Sequence, residues 1–402
     1  MKIKENNMLN KAIRISFFLC LFSILLIPAG YLFSISFSRQ VSILLIEVIL
    51  GFQSLLTTFL LYKKPEIVNK KLVITSFLFC LVCVVSLMAN AGRFTPSELI
   101  VSVFYLFRFL IYAQIIVLGY FFSISQKRTL LKALIISGVM YSIIGMIQYF
   151  FYPDLRNIRY LGWDEHLYRL VGTFFDPNFT GGFLSATFFL VAYSYKRITS
   201  KAVWISVLSV IFIALILTYS RSTYLSFVAG MIVFALLKKK KKVVLFGALA
   251  LMMALILVPK NFGGEGVNLL RTASISARIV EYKKTIGLIK KAPLFGHGFN
   301  TLRYVKQKEG LLENSDAFNS HSAAGVPNSL LFVLVTTGLF GLAAFFIIGK
   351  SFFTVAKSWN RDSLHGFITI SIVLFTHSMF ENTLFYPFIL LFLCVYIASC
   401  IE

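Results

Sequence analysis

Apolar residues run through this chain in long blocks, separated by short connections rich in lysine, arginine, glycine or proline. Crossing ~30 Å of hydrocarbon takes about 20 such residues in a helix. Twelve blocks qualify as candidate spans: 15–36, 41–62, 72–90, 98–123, 129–151, 178–195, 202–219, 222–237, 243–258, 328–349, 366–380 and 384–400. Helix is the state expected for each, because lipid offers backbone N–H and C=O groups no partner other than one another. Residues 276–291, SARIVEYKKTIGLIKK, follow a different pattern, with Ile279, Tyr282, Ile286 and Ile289 on one face and charges on the other. That pattern predicts an amphipathic helix lying on the membrane surface or roofing a cavity there, with Ser274 or Ser276 as its cap and Pro293 past its end.

Composition agrees with this reading. The 402 residues are 58% hydrophobic and only 14% charged, which excludes a soluble domain. The fold class expected is all-α and polytopic in the membrane. The first block is too long for the apolar core of a secretory signal and lacks a small-residue cleavage site, so it reads as a retained helix.

The net charge of +23 would suggest nucleic acid in a soluble protein. Here its distribution suggests the bilayer as partner and no nucleic acid. Lysine and arginine crowd the N-terminus and alternate connections: Lys63, Lys64, Lys70 and Lys71, then Lys127 and Arg128, then Lys196, Arg197 and Lys201, then the lysines at 238–242, then Lys350, Lys357 and Arg361. The intervening short connections carry one arginine each: Arg39, Arg93 and Arg221. The positive-inside rule then places both termini in the cytoplasm. Segments 152–177 and 259–327 fall outside. Three regions follow: helices one to five (1–151), a core with the large outer loop (152–349), and a C-terminal pair of helices (350–402).

The cysteines Cys20, Cys80, Cys83, Cys394 and Cys400 all fall inside apolar blocks, where they read as packing residues. No D-x-D sequence occurs, so no metal site and no cofactor are expected. Candidate chemistry lies in the outward segments. Arg221 sits at the tight turn between blocks seven and eight. Alone it would read as a snorkelling arginine marking the interface. It is joined by Arg169, Arg278, the turn Gly296-His297-Gly298, His321 and Pro327-Asn328-Ser329. Several guanidinium groups at one membrane face suggest an anionic ligand, because Arg matches phosphate geometry with more than one donor. Arg108 lies near the middle of block four, where a lone charge must face the bundle or a wet cavity; Glu47 and Glu381 are candidate partners. His377 and Glu381 lie near the outer end of block eleven.

Four motifs carry a resemblance. They are Arg169 to Asn178 (RLVGTFFDPN), Ser220-Arg221, Arg278 followed by Pro293 to Gly298 (PLFGHG), and Asn328 to Gly341 (NSLLFVLVTTGLFG). In their order, and with a large outer loop between blocks nine and ten, the chain resembles the O-antigen ligase and O-antigen polymerase family of bacterial envelope glycosyltransferases. The likeness covers about 165–345 by motif and the first five blocks by topology. It implies a cytoplasmic-membrane enzyme of a bacterium. Its donor would be an oligosaccharide on undecaprenyl diphosphate, and an acceptor glycan hydroxyl would attack with inversion and without metal. It implies Arg221 and Arg278 as catalytic residues, with His321 a candidate for the catalytic histidine, and Arg169, Asn178, Asn328 and His297 as substrate-binding residues; Arg108, by its depth alone, is either half of a structural ion pair or a substrate-binding donor contact. One departure stands out. The family carries His directly before the Asn that opens block ten, and here that position is Pro327. His321, six residues upstream, is either that group displaced or a solvated loop residue.

The first reading is therefore a polymerase of surface-polysaccharide repeat units, with a ligase as the alternative. A secondary transporter is a second class, but it would show internal repeats and midplane polar sites. A glycosyltransferase of the dolichyl-phosphate type would need the missing D-x-D.

Overall fold

The computed structural model describes residues 2–38, 41–195, 200–239, 242–257, 266–312 and 321–401. Helices dominate. The first five are α1 (Lys2–Leu25), α2 (Leu45–Lys63), α3 (Lys70–Ala89), α4 (Pro96–Leu118) and α5 (Ile124–Phe151). Next come α6 (Pro177–Tyr193), α7 (Lys201–Ile216), α8 (Arg221–Lys238) and α9 (Lys242–Leu257). The amphipathic segment forms α10 (Ala273–Lys291), followed by the short α11 (Leu302–Lys308). The chain closes with α12 (Ser329–Ala356), α13 (Arg361–Ser378) and α14 (Pro387–Cys400). Each apolar block overlaps one of these helices. Among the described residues, seven are long and apolar enough to cross a membrane: α1 from Asn7, α2, α3, α4, α5, α8 and α12. Two shorter apolar helices, α7 and α14, join them. Large apolar side chains stand fully outward, among them Phe52, Leu55, Phe77, Met88 and Ile100. A surface of that kind suits lipid, not water.

The first block departs from expectation. Helix α1 starts earlier and ends at Leu25, because Pro28 and Gly30 break the pattern into a 3-10 segment, Ile27–Phe33. An antiparallel hairpin follows, β1 (Ser34–Ser38) with β2 (Val41–Leu44). Elsewhere local chemistry sets the ends. Thr95 with Glu98, and Ser123 with Gln126, form capping boxes that satisfy the first N–H groups of α4 and α5.

Two apolar cores hold the helices. One gathers residues of α1, α2, α5 to α9, α13 and α14. The other is built mainly from α3, α10, α11 and α12, and α3, α4 and α12 contribute to both. The packing thus runs across the three regions expected from sequence. All five cysteines are buried thiols, with Cys80 and Cys83 in the second core, as their apolar setting suggested.

Helix α12 is broken within its apolar length. Gly338 adopts φ 68°, ψ −165°, a conformation open essentially to glycine alone. The motif 293–298 fills the break. Leu339 N–H donates to Pro293 O (2.9 Å), and His297 and Gly298 N–H donate to Val335 O (3.0 Å) and Thr336 O (2.9 Å). Backbone groups freed by the break are therefore satisfied by a second protein segment, which is how irregular backbone survives at such a position. A Cβ on Gly338 would sit 2.2 Å from Leu294 O. Two of the four family motifs thus form one interlocked unit.

Candidate active site

The site is built around the turn Leu217–Ser220. Tyr219 takes a left-handed φ of 50°, and Ser220 caps α8 by accepting from Thr223 N–H. Arg221 is the first residue of α8. The segment carrying Arg169 runs alongside, with Leu170 N–H donating to Leu217 O (2.8 Å). Ser220 Oγ donates to Asn178 Oδ1 (2.7 Å), which locks the turn to the start of α6. Close approach of α6 to α8 and α13 needs Gly181 and Gly182. A Cβ at Gly181 would meet the Thr223 side chain at 1.9 Å, and one at Gly182 would touch the His377 ring at 3.2 Å.

Four arginines converge on this turn. Arg169 is buried; its Nε donates to Thr218 O (3.0 Å) and its Nη2 to Tyr219 O (3.4 Å). Arg271 reaches the same Tyr219 carbonyl (3.4 Å). Arg221 donates to Arg271 O (2.8 Å) and to Ser274 Oγ (2.5 Å), so it pins the start of α10. Arg278, one helical turn further along α10, lies close enough to act on Arg221 electrostatically. Carbonyls and a hydroxyl hold Arg169 and Arg221 in place without neutralising them. Burial and the neighbouring Arg271 charge pull the Arg169 guanidinium down to about 10. Such a cluster repels itself and favours an anion that bridges it.

Arg278 makes an ion pair with Glu381, which follows α13. The Glu381 side chain keeps 12% of its surface exposed, so the pair lies at the rim of the packed interior. Burial raises the Glu381 carboxyl to about 7 despite Arg278, and the nearby Asp176 charge adds to the rise. Asp176 caps α6 by accepting from Asn178 N–H (2.6 Å) and Phe179 N–H (3.0 Å), and burial lifts it to about 6. Below the rim runs a buried polar chain. Ser220 meets Ser222 (3.1 Å), Ser222 meets His377 Nε2 (3.4 Å), and His377 Nδ1 meets Thr383 Oγ1 (2.7 Å). Tyr282 donates to Pro327 O (2.8 Å) or Met379 O (2.9 Å), and Asn328 Nδ2 donates to Met379 O (3.2 Å). These bonds gather the ends of α10, α12 and α13 around Arg278 and Glu381.

Comparison with known proteins bears on this arrangement. Residues 204–346 match the O-antigen ligase family model. The matched region runs from α7 into α12 and holds Arg221, Arg271, Arg278, the 293–298 motif and the broken helix. It bears out the resemblance read from the motifs, and it supports a glycosyltransferase-like role in membrane polysaccharide assembly. No curated protein matches the chain.

Within this matched region and its surroundings, the predicted residues divide. Arg221, Arg278 and Arg169 come together. Asn178 and Asn328 lie beside them in bracing roles: Asn178 holds the turn, and Asn328 caps α12 through Leu330 and Leu331 N–H (2.9 and 3.0 Å). His297 is 1% exposed and supports the fold. Its Nε2 contacts Leu288 O (2.8 Å) and its Nδ1 contacts Arg93 (3.1 Å). Arg108 is committed to Glu47, at 2.6 Å, and to Ser42 O in the hairpin. Glu47 rather than Glu381 is thus its partner. His321 opens the 3-10 turn His321–Ala324, and its side chain lies outside the described ones.

In helix α10, Tyr282 and Ile289 of the expected apolar face pack inward with Arg278, Thr285 and Leu288, whereas Ile279 and Ile286 are exposed; its start lies earlier than expected, with Thr272 rather than Ser274 or Ser276 at the cap position. Sequence reading missed Arg271 and His166, whose ring is buried and held down to about 3 by desolvation and by Arg169 and Arg271. No spacing rule links residues 166, 169, 221 and 271; only the fold does.

Proposed function

We propose that this protein is a membrane glycosyltransferase that joins an undecaprenyl-diphosphate-linked glycan to an acceptor hydroxyl at the outer face of a bacterial cytoplasmic membrane. The repeat-unit polymerase is the preferred form. One observation carries the reading: Arg169, Arg221, Arg271 and Arg278 converge at one end of an apolar helical bundle, inside or beside the O-antigen ligase match.

The chemistry follows from that placement. As the bond from the anomeric carbon to the donor diphosphate breaks, negative charge grows on the leaving oxygens. Fixed guanidinium groups stabilise that charge more than they stabilise the ground state. Arg221 is rigid because its donors hold the start of α10, and Arg278 follows on the same helix. With arginines performing the charge stabilisation, the reaction needs no metal; the absence of D-x-D from the sequence supports this. The donor's polyprenyl chain would remain in lipid against the exposed apolar faces, with the diphosphate at headgroup level.

The test is reconstitution. Purified protein in liposomes, given a lipid-linked oligosaccharide from its own host, should build longer lipid-linked glycans, and excess EDTA should leave the rate unchanged. Failure to extend or transfer any such donor would contradict the reading. Loss of activity in EDTA that magnesium or manganese restores would contradict the metal-independent mechanism.

A further inference from the structure

The attacking hydroxyl must give up its proton, and Pro327, directly before the Asn328 that caps α12, has no group to take it. The chain has five histidines. His297 has both ring nitrogens engaged away from the arginine cluster. His377 lies buried between Ser222 and Thr383. His166 is kept neutral and weakly basic by burial beside Arg169 and Arg271. His365 sits near the start of α13, at the other end of the bundle. His321 is eight residues before the first residue of α12. Among the described side chains, Glu381 is a carboxylate in direct contact with one of the converging arginines, Arg278, whose own side chain is partly exposed.

We propose that Glu381 is the proton acceptor of the transfer reaction, and that the donor diphosphate activates it by drawing Arg278 out of their ion pair. This rests on the glycosyltransferase reading above. In the step, the acceptor O–H gives its proton to a Glu381 carboxylate oxygen while its oxygen bonds to the anomeric carbon. The bond from that carbon to the diphosphate oxygen breaks, and the electron pair leaves with undecaprenyl diphosphate.

The geometry supplies the coupling. Before donor binds, Arg278 stabilises the carboxylate and blunts its basicity, since a cation beside an acid favours its charged form. A diphosphate carries more charge than one carboxylate and competes for Arg278. Once the pair opens, burial and Asp176 act on Glu381 with less opposition, and the carboxylate holds a proton more tightly. Base strength therefore rises when the donor is in place. The charged and titratable groups around Glu381 are Arg278 and Tyr282 from α10, Arg169, Asp164 and Asp176 from the outer segment and the start of α6, and His377 from α13.

The experiment compares wild type, Glu381→Gln, Glu381→Asp and Asp176→Asn in liposomes, measuring donor binding and transfer rate from pH 5.5 to 8.5. At saturating donor, wild-type transfer should rise with pH through a midpoint above the value of about 7 that Glu381 has with Arg278 in place, because the carboxylate is the active form and the donor has drawn its partner cation away. Glu381→Gln should bind donor within a few-fold of wild type but transfer about a hundredfold more slowly or worse, with no rise near neutrality. Glu381→Asp should keep a reduced rate and the rise. Asp176→Asn should keep the rise, which separates Glu381 from its carboxylate neighbour. A Glu381→Gln protein that transfers at near wild-type rate, or whose whole defect lies in donor binding, overturns the proposal. So does a rise that survives in Glu381→Gln and vanishes in Asp176→Asn. If Glu381→Gln does not fold, the Glu381→Asp and Asp176→Asn profiles still decide. If wild type transfers nothing, the glycosyltransferase reading itself has failed, which is a different result.

Discussion

His297 and Arg221 show how differently two residues of the same motif set behave. Both lie in family motifs. Arg221 ends at the site, donating to the start of α10. His297 ends in the packing between the 293–298 motif and α12, with its proton on Nε2 toward Leu288 O and its Nδ1 accepting from Arg93. Burial and the Arg93 charge both keep the ring neutral. His297→Ala would orphan the Leu288 carbonyl and remove a filled volume, which costs about 1–3 kcal/mol. We expect lower thermal stability in detergent and reduced abundance, with the transfer rate per folded molecule close to wild type. Normal stability with lost transfer would show that His297 touches substrate.

Among the elements, α12 matters most, because its break is what the 293–298 motif locks into. Gly338→Ala places a side chain in a backbone region that costs non-glycine residues about 1–3 kcal/mol, and its Cβ would overlap Leu294 O. Gly349 lies in the same helix with open space around it. Gly338→Ala should therefore lower the melting temperature and membrane abundance, while Gly349→Ala should change neither; equal behaviour of the two would show that the break is not structural. The helices themselves were legible in the sequence, because lipid permits little else for a block of 20 apolar residues. The β1–β2 hairpin was not, although Ser34, Ser36 and Ser38 and then Ser42 alternate with apolar residues at the strand period; the apolar runs on either side mask so short an alternation.

For the whole molecule, the arginines at positions 169, 221 and 278 could be found in the sequence as outward basic residues in motifs, but their meeting could not. Glu381 stands 103 residues from its partner Arg278, and no periodicity connects them. Arg108 paired within the bundle, as its depth required, and it took the nearer of two acids that sequence alone could not rank. The central claim is that the convergent arginines bind a diphosphate and stabilise its leaving charge. The direct measurement is the transfer rate of Arg221→Lys and Arg278→Lys in liposomes, each normalised to folded protein, with Arg159→Lys as control. Arg159 is exposed in the segment between α5 and α6 and paired with Glu165, whereas Arg93 supports His297 and would be a poorer control. Lysine keeps the charge but loses the planar fork. The account predicts that each site variant falls about a hundredfold, equivalent to roughly 3 kcal/mol, and that the control stays at wild-type rate. If Arg221→Lys and Arg278→Lys both transfer at wild-type rate, the arginines are interface anchors that lysine replaces equally well, and the clamp is contradicted.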